Sequence, residues 1–134
     1  MTDRRDFLKT TAVAATVMAF GSTATAFASS APYAGVVYTK DQPGQWAKKV
    51  ATHAPEVKVE AGKASLVTLH GMSEAHYIVR HTVVLADGTF VGGKTFSAAD
   101  KPESSFELPA GYKGKAYATS FCNKHDMWLT EFTV

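Results

Sequence analysis

Five side chains of ligand type carry most of the chemistry open to this sequence: His53, His70, His76, Cys122 and His125. Imidazole suits iron, copper, zinc and nickel, and thiolate adds a soft, strongly donating ligand. A lone histidine is more often structural than a ligand, and Cys-x-x-His alone is a weak signal. Here Cys122-Asn123-Lys124-His125 lets one turn offer two donors to a single ion. His70 and His76 flank a short loop, and His53 precedes the first clear strand run. The remaining histidine, His81, lies five residues beyond His76. In a strand that is roughly 16 Å, at about 3.3 Å per residue. Period-2 alternation places it with Tyr77, Val79, Val83 and Leu85 on one face, so it reads as a packing or hydrogen-bonding histidine.

The elements that must position these donors read as strands. β-rich runs recur at Glu56–Glu60, Ala64–Leu69, His76–Ala86, Thr89–Phe96, Ser104–Leu108, Lys115–Cys122 and Met127–Val134. Turn signals separate them at Ala61-Gly62, Gly71, Asp87-Gly88, Lys101-Pro102 and Pro109–Gly114. About seven short strands in about 100 residues predict an all-β, immunoglobulin-like, seven-stranded antiparallel β-sandwich. Asp87-Gly88 reads as a type I′ hairpin turn. Gly44–Val50 is long enough for one helical turn, with Trp46 expected on the core. If each strand reverses the one before, strand parity gathers His53, His70, His76, Cys122 and His125 at one end of the sandwich. The turns at Ala61-Gly62, Asp87-Gly88 and Pro109–Gly114 then fall at the other end.

Composition sets the limits. With 134 residues, 46% hydrophobic and 19% charged, the chain suits one folded domain and is too apolar for a disordered one. One cysteine excludes an internal disulfide framework and any four-cysteine metal site. A net charge of +2 without a basic, aromatic-interleaved run argues against a nucleic-acid partner. Near the N-terminus, Arg4-Arg5 precedes a mildly apolar stretch from Thr10 to Ala28, interrupted by Thr11, Thr16 and Gly21. It is a poor spanning helix. Ala24-Thr25-Ala26 and Ala26-Phe27-Ala28 are small-residue cleavage patterns. The region resembles a twin-arginine export signal. Residues 1–28 are therefore expected to be removed, leaving a domain of residues 29–134 without stable membrane insertion. Substrates of that route are exported folded, which suits a protein that collects its metal beforehand.

Three segments then resemble a family: Thr52-His53-Ala54-Pro55, His70-Gly71-Met72-Ser73-Glu74-Ala75-His76-Tyr77-Ile78 and Cys122-Asn123-Lys124-His125-Asp126-Met127-Trp128. They are similar to the iron-site motifs of superoxide reductases, the neelaredoxin and desulfoferrodoxin proteins. The likeness runs from about Gln45 to Val134. It implies one iron per chain, cycling between Fe(2+) and Fe(3+), with imidazoles from His53, His70, His76 and His125 and a thiolate from Cys122. It implies reduction of superoxide to hydrogen peroxide with electrons from an external redox protein, and it leaves room for a homo-oligomer; the export signal makes the periplasm the expected location. The four cysteines of a rubredoxin-like second domain do not exist here. The chain also departs from the family. Ala51-Thr52 stands where Glu-Lys usually precedes the first histidine, and Asp126 replaces the usual glycine. Positive charge near the open position would then fall to Lys48, Lys49, Lys124 or Lys101.

Two other readings stay open on the sequence. Cys122-x-x-His125-x-Met127 with His70 resembles a blue-copper electron-transfer site of two histidines, one cysteine and a weak axial methionine. A non-catalytic module, such as a structural zinc clamp or a metal store, uses the same residues, although five donors exceed the usual four of structural zinc.

Overall fold

The computed structural model describes residues 33–134. The arginine pair, the apolar stretch and both cleavage patterns lie outside the described residues. Among the described residues there are eight strands: β1 (Val37–Tyr38), β2 (Glu56–Glu60), β3 (Lys63–Val67), β4 (Ile78–Leu85), β5 (Phe90–Thr95), β6 (Glu103–Glu107), β7 (Lys115–Cys122) and β8 (Asp126–Thr133). They form a five-stranded sheet in the order β1-β8-β7-β4-β5 and a three-stranded sheet in the order β2-β3-β6. The β-sandwich expected from the sequence is present, with eight strands in place of seven. The added strand, β1, pairs parallel to β8, so the sandwich is not wholly antiparallel. Two residues are too few to show a period. Burial of Tyr38 against Trp128, ring centroids 5.7 Å apart, holds β1 there instead.

Turn chemistry falls differently from the sequence signal. Of Asp87-Gly88, only Gly88 has positive φ, at 90°, so the turn is not type I′, which needs positive φ at both central residues. Gly88 N–H bonds to Leu85 O at 2.9 Å, and the β4–β5 register shifts at Val83/Val84. Ala61 and Gly62 have φ of 51° and 76° and link the directly paired Glu60 and Lys63. The type I′ geometry is therefore at Ala61-Gly62.

A second irregularity matters more for the site. Ile78 pairs with Cys122 but Arg80 pairs with Phe121, so Val79 is an extra residue in β4. Such a bulge reverses the alternation of side chains. Ile78, not Tyr77 or Val79, therefore joins His81, Val83 and Leu85 in the core. Ile78 packs with Phe96, Cys122 and the half-buried Met72, forming an apolar floor under one end of the sandwich. Ala64, Leu66, Val83, Leu108 and Ala118 form the main core at the other side.

Between these two clusters runs a buried polar layer. His81 bonds through Nε2 to Thr68 Oγ1 and through Nδ1 to Ser104 Oγ, each at 2.8 Å, and Thr68 Oγ1 meets Ser120 Oγ at 2.8 Å. The layer joins both sheets, and it confirms His81 as a hydrogen-bonding core histidine. Burial, then the nearby charge of Lys94, lowers its pKa to about 4. The unfolded chain takes up this proton near pH 6.5 and the folded chain only near 4, so stability is lost as pH falls through that window. His81→Gln should cost about 1–3 kcal/mol at neutral pH, the penalty of a disrupted buried network. The deficit relative to wild type should narrow from pH 7 to pH 5 in urea titrations. A deficit constant with pH would show that His81 is not held neutral.

Candidate metal centre

Each donor arrives on a different local device. His53 ends a short helix, α1 (Val50–His53), that follows a 3-10 segment at Gly44–Lys49. That segment is one residue shorter than the helical turn expected, and α1 extends the helix to the histidine. His70 follows β3 after Thr68, whose N–H bonds to Pro102 O. His76 closes a tight loop by exchanging backbone hydrogen bonds with Ser73, so it precedes β4 and does not start it. Cys122 ends β7 on its inward face, in line with the buried Ala116, Ala118 and Ser120. His125 sits in the turn to β8, its carbonyl accepting the Trp128 Nε1–H at 2.9 Å.

The structure brings all five together. Donor atoms of His53, His70, His76 and Cys122 lie within 4.8 Å of one another. His125 Nδ1 joins them, 3.7 Å from Cys122 Sγ. His76 Nε2 lies 3.0 Å from His70 Nε2, 3.0 Å from His125 Nδ1 and 3.2 Å from Cys122 Sγ. One imidazole nitrogen carries one proton or one lone pair, so it cannot satisfy three such neighbours by hydrogen bonding. A shared cation can. With metal–nitrogen bonds of about 2.1 Å, nitrogens at right angles are about 3.0 Å apart and tetrahedral ones about 3.4 Å apart. The observed spacing fits right angles.

The ring planes agree. Neighbouring centroids are 4.6 Å apart for His53–His70, 4.4 Å for His70–His76, 4.8 Å for His76–His125 and 4.7 Å for His125–His53. The diagonal pair His53–His76 is wider, 6.0 Å, and near parallel. Four imidazoles thus surround one point, with the thiol on their buried side. His53 Nε2, the ring nitrogen turned to the cluster, is buried and has no hydrogen-bond partner. The donor set fits a bound metal.

Protonation and orientation suit ligation. Burial lowers the pKa of His53 to about 4, helped by His70 and His125. Burial also lowers His70, His76 and His125. Neutral imidazoles are the ligating form. The His53 Nδ1–H donates to Lys49 O at 3.1 Å and to Thr52 Oγ1 at 2.8 Å, leaving Nε2 facing the cluster. Carbonyl contacts of this kind fix tautomer and ring orientation.

Sequence reasoning missed several supports. Asn123 accepts the Tyr77 N–H at 3.0 Å and donates to Ala75 O at 3.2 Å, stitching the His76 loop to the Cys122–His125 turn. Its place inside the Cys-x-x-His motif was the available signal. Trp46 is half-buried and stands edge-on to His125, centroids 4.7 Å apart, so it covers the site and not the core as expected. Nothing in the sequence marked that contact.

An open cavity lies on the histidine side, lined by Lys49, Thr52, Met72 and Ser73 around His53, His70 and His76. Cys122, 0% exposed, does not line it. Lys49 lines the cavity, and its charge lowers the pKa of His70, His76 and His125. The charge of Lys124 acts on His76 and His125. Lys48 and Lys101 are exposed and outside the cavity lining. Met127 pairs directly with Phe121, on the face opposite to Cys122. It therefore cannot complete a blue-copper site, and right-angle spacing does not suit a tetrahedral zinc clamp.

No curated protein matched the chain. Among solved structures, a variant of the superoxide reductase (neelaredoxin) from Ignicoccus hospitalis is 24% identical, with a TM-score of 0.67, covering 78% of this chain and 98% of that one. The one-iron superoxide reductase from Giardia intestinalis is 22% identical, with a TM-score of 0.55, covering 62% and 98%. A superoxide reductase solved in its oxidised state is 26% identical, with a TM-score of 0.59, covering 74% and 96%. Residues 1–21 match the twin-arginine translocation signal, which directs export across a membrane. Among the described residues, no helix is long and apolar enough to cross a membrane. Residues 44–131 match the desulfoferrodoxin family model, and the chain belongs to that family.

Proposed function

We propose that the protein is a superoxide reductase, with one iron held by His53, His70, His76, His125 and Cys122. The observation that carries this reading is the set of five donors, spaced for right-angle coordination, beside an open cavity in a desulfoferrodoxin-family fold. Ferrous iron bound there supplies the single electron and, with one thiolate among neutral imidazoles, a net positive charge. Superoxide takes up that electron and two protons and leaves as hydrogen peroxide. Each turnover consumes one electron, so an external one-electron donor, a small redox protein, would have to supply it. After removal of residues 1–28, the domain of residues 29–134 works in the periplasm. Superoxide is an anion and crosses membranes poorly, so a defence there has a physical rationale.

The chain's own residues shape capture. Lys49, at the cavity wall, draws the anion inward, Lys124 adds to the field, and Lys48 contributes only at longer range. Thr52 lines the same cavity, at the position where the family resemblance implies lysine. Thr52→Lys should raise the second-order rate with superoxide a few-fold at low salt, and Lys49→Gln should lower it comparably. Both effects should shrink as ionic strength rises. Pulse radiolysis at two salt concentrations reads this directly. Thr52→Val is the control for the lost hydroxyl contact to His53, whose Lys49 carbonyl partner remains. A Thr52→Lys gain independent of salt would point to proton delivery instead of steering.

A further inference from the structure

One contact at the rim of the centre joins two elements that bring separate ligands. The Trp46 Nε1–H donates to Asp126 Oδ2 at 3.1 Å, across eighty positions of sequence. Trp46 belongs to the 3-10 segment that leads through α1 to His53, and Asp126 directly follows His125. The same indole stands edge-on to the His125 ring at 88°. Asp126 holds φ at +67°, a conformation that favours glycine. Backbone ease alone does not explain an aspartate here. Its side chain does have a partner, and that partner covers a ligand.

We propose that Trp46 and Asp126 form a latch that holds the helical segment over His125 and slows escape of the metal. This rests on the metal-centre reading above. With the latch closed, His125 is fixed on one side by the Trp46 edge and, through its carbonyl, by the buried Trp128. With it open, the 3-10 segment, already kinked at Trp46 (φ −103°, ψ 30°), loses its tie to the His125 turn, and α1 follows that segment directly to His53. Asp126 and Trp46 are positioning residues: they act through His125 and His53, not on substrate.

The latch and the backbone predict opposite signs for one substitution. Asp126→Gly removes strain at positive φ, so global stability should hold or rise. If the latch operates, the same variant should lose ferrous iron to a strong chelator roughly fivefold faster, the scale of one hydrogen bond of modest net strength. Trp46→Phe keeps an aromatic edge but no N–H, and should also speed iron loss. Asp126→Asn keeps an oxygen acceptor and tolerates positive φ, so it should stay near wild type. The double variant Trp46→Phe/Asp126→Gly should be no worse than the faster single variant, since both remove one interaction. The experiment is stopped-flow iron transfer from full-length, iron-loaded protein, with urea stability measured on the same samples. Iron loss at wild-type rate in Asp126→Gly, or equal loss in Asp126→Asn and Asp126→Gly, would overturn the latch. Wild-type protein that binds no iron would instead overturn the metal-centre reading.

Discussion

Cys122→Ser should abolish the sulfur-to-iron charge-transfer absorption of the oxidised protein while leaving the sandwich folded. Cys122 is the single cysteine, fully buried, with its Sγ 3.2 Å from His76 Nε2 and 3.7 Å from His125 Nδ1. Among the described residues, no other sulfur donor faces the cluster, because Met127 lies on the opposite face of its strand pair and the sulfur of Met72 accepts the Ile78 N–H. Serine is close in volume, so the apolar floor of Ile78, Phe96 and Met72 keeps its packing. Its hydroxyl costs about 1–3 kcal/mol if left unpaired there. Removing a direct ligand should weaken iron binding by about 100-fold or more, beyond the 10- to 100-fold typical of lost supporting contacts. A band that persists unchanged in the serine variant would show that Cys122 is not a ligand.

His76→Gln should empty the centre, whereas His81→Gln should leave its iron content intact at neutral pH. His76 Nε2 is the most central donor atom, near three of the other four donors. Its loss should lower iron affinity by at least about 100-fold. His81 spends both ring nitrogens on Ser104 and Thr68 and has no contact with the cluster. Iron analysis of the two purified variants, with circular dichroism to verify folding, separates the roles. Equal iron loss in two equally folded variants would contradict the placement of His76 at the centre.

The difference between these histidines was legible in the sequence because strand parity is a long-range consequence of simple alternation. β2 and β7 match the sequence reading residue for residue, and β7 delivers Cys122 where parity required. What escaped was set by single residues that break a period. The bulge at Val79 exchanges Tyr77 and Val79 for Ile78 in the core, and no propensity marks it. Two residues of β1 carry no period at all. Asp87-Gly88 suggested type I′ geometry, yet Asp87 bonds the Thr89 N–H through its own side chain at 2.9 Å and keeps negative φ. Trp46 looked like a core residue on hydrophobicity alone. Its indole N–H needs a partner, and Asp126, far away in sequence, supplies one. Ligand types and spacings were readable, therefore, while the contacts that aim and cover the ligands depend on tertiary neighbours.

Reduction of superoxide, not its dismutation, is the reaction expected at this centre. The most direct measurement is the product balance when fully reduced, iron-loaded protein meets superoxide in the absence of any donor. Reduction predicts one hydrogen peroxide formed and one iron oxidised for each superoxide consumed, with no dioxygen released. Release of dioxygen amounting to half the superoxide consumed would show dismutation instead, and superoxide decay no faster than in buffer would show that the centre does not react with superoxide.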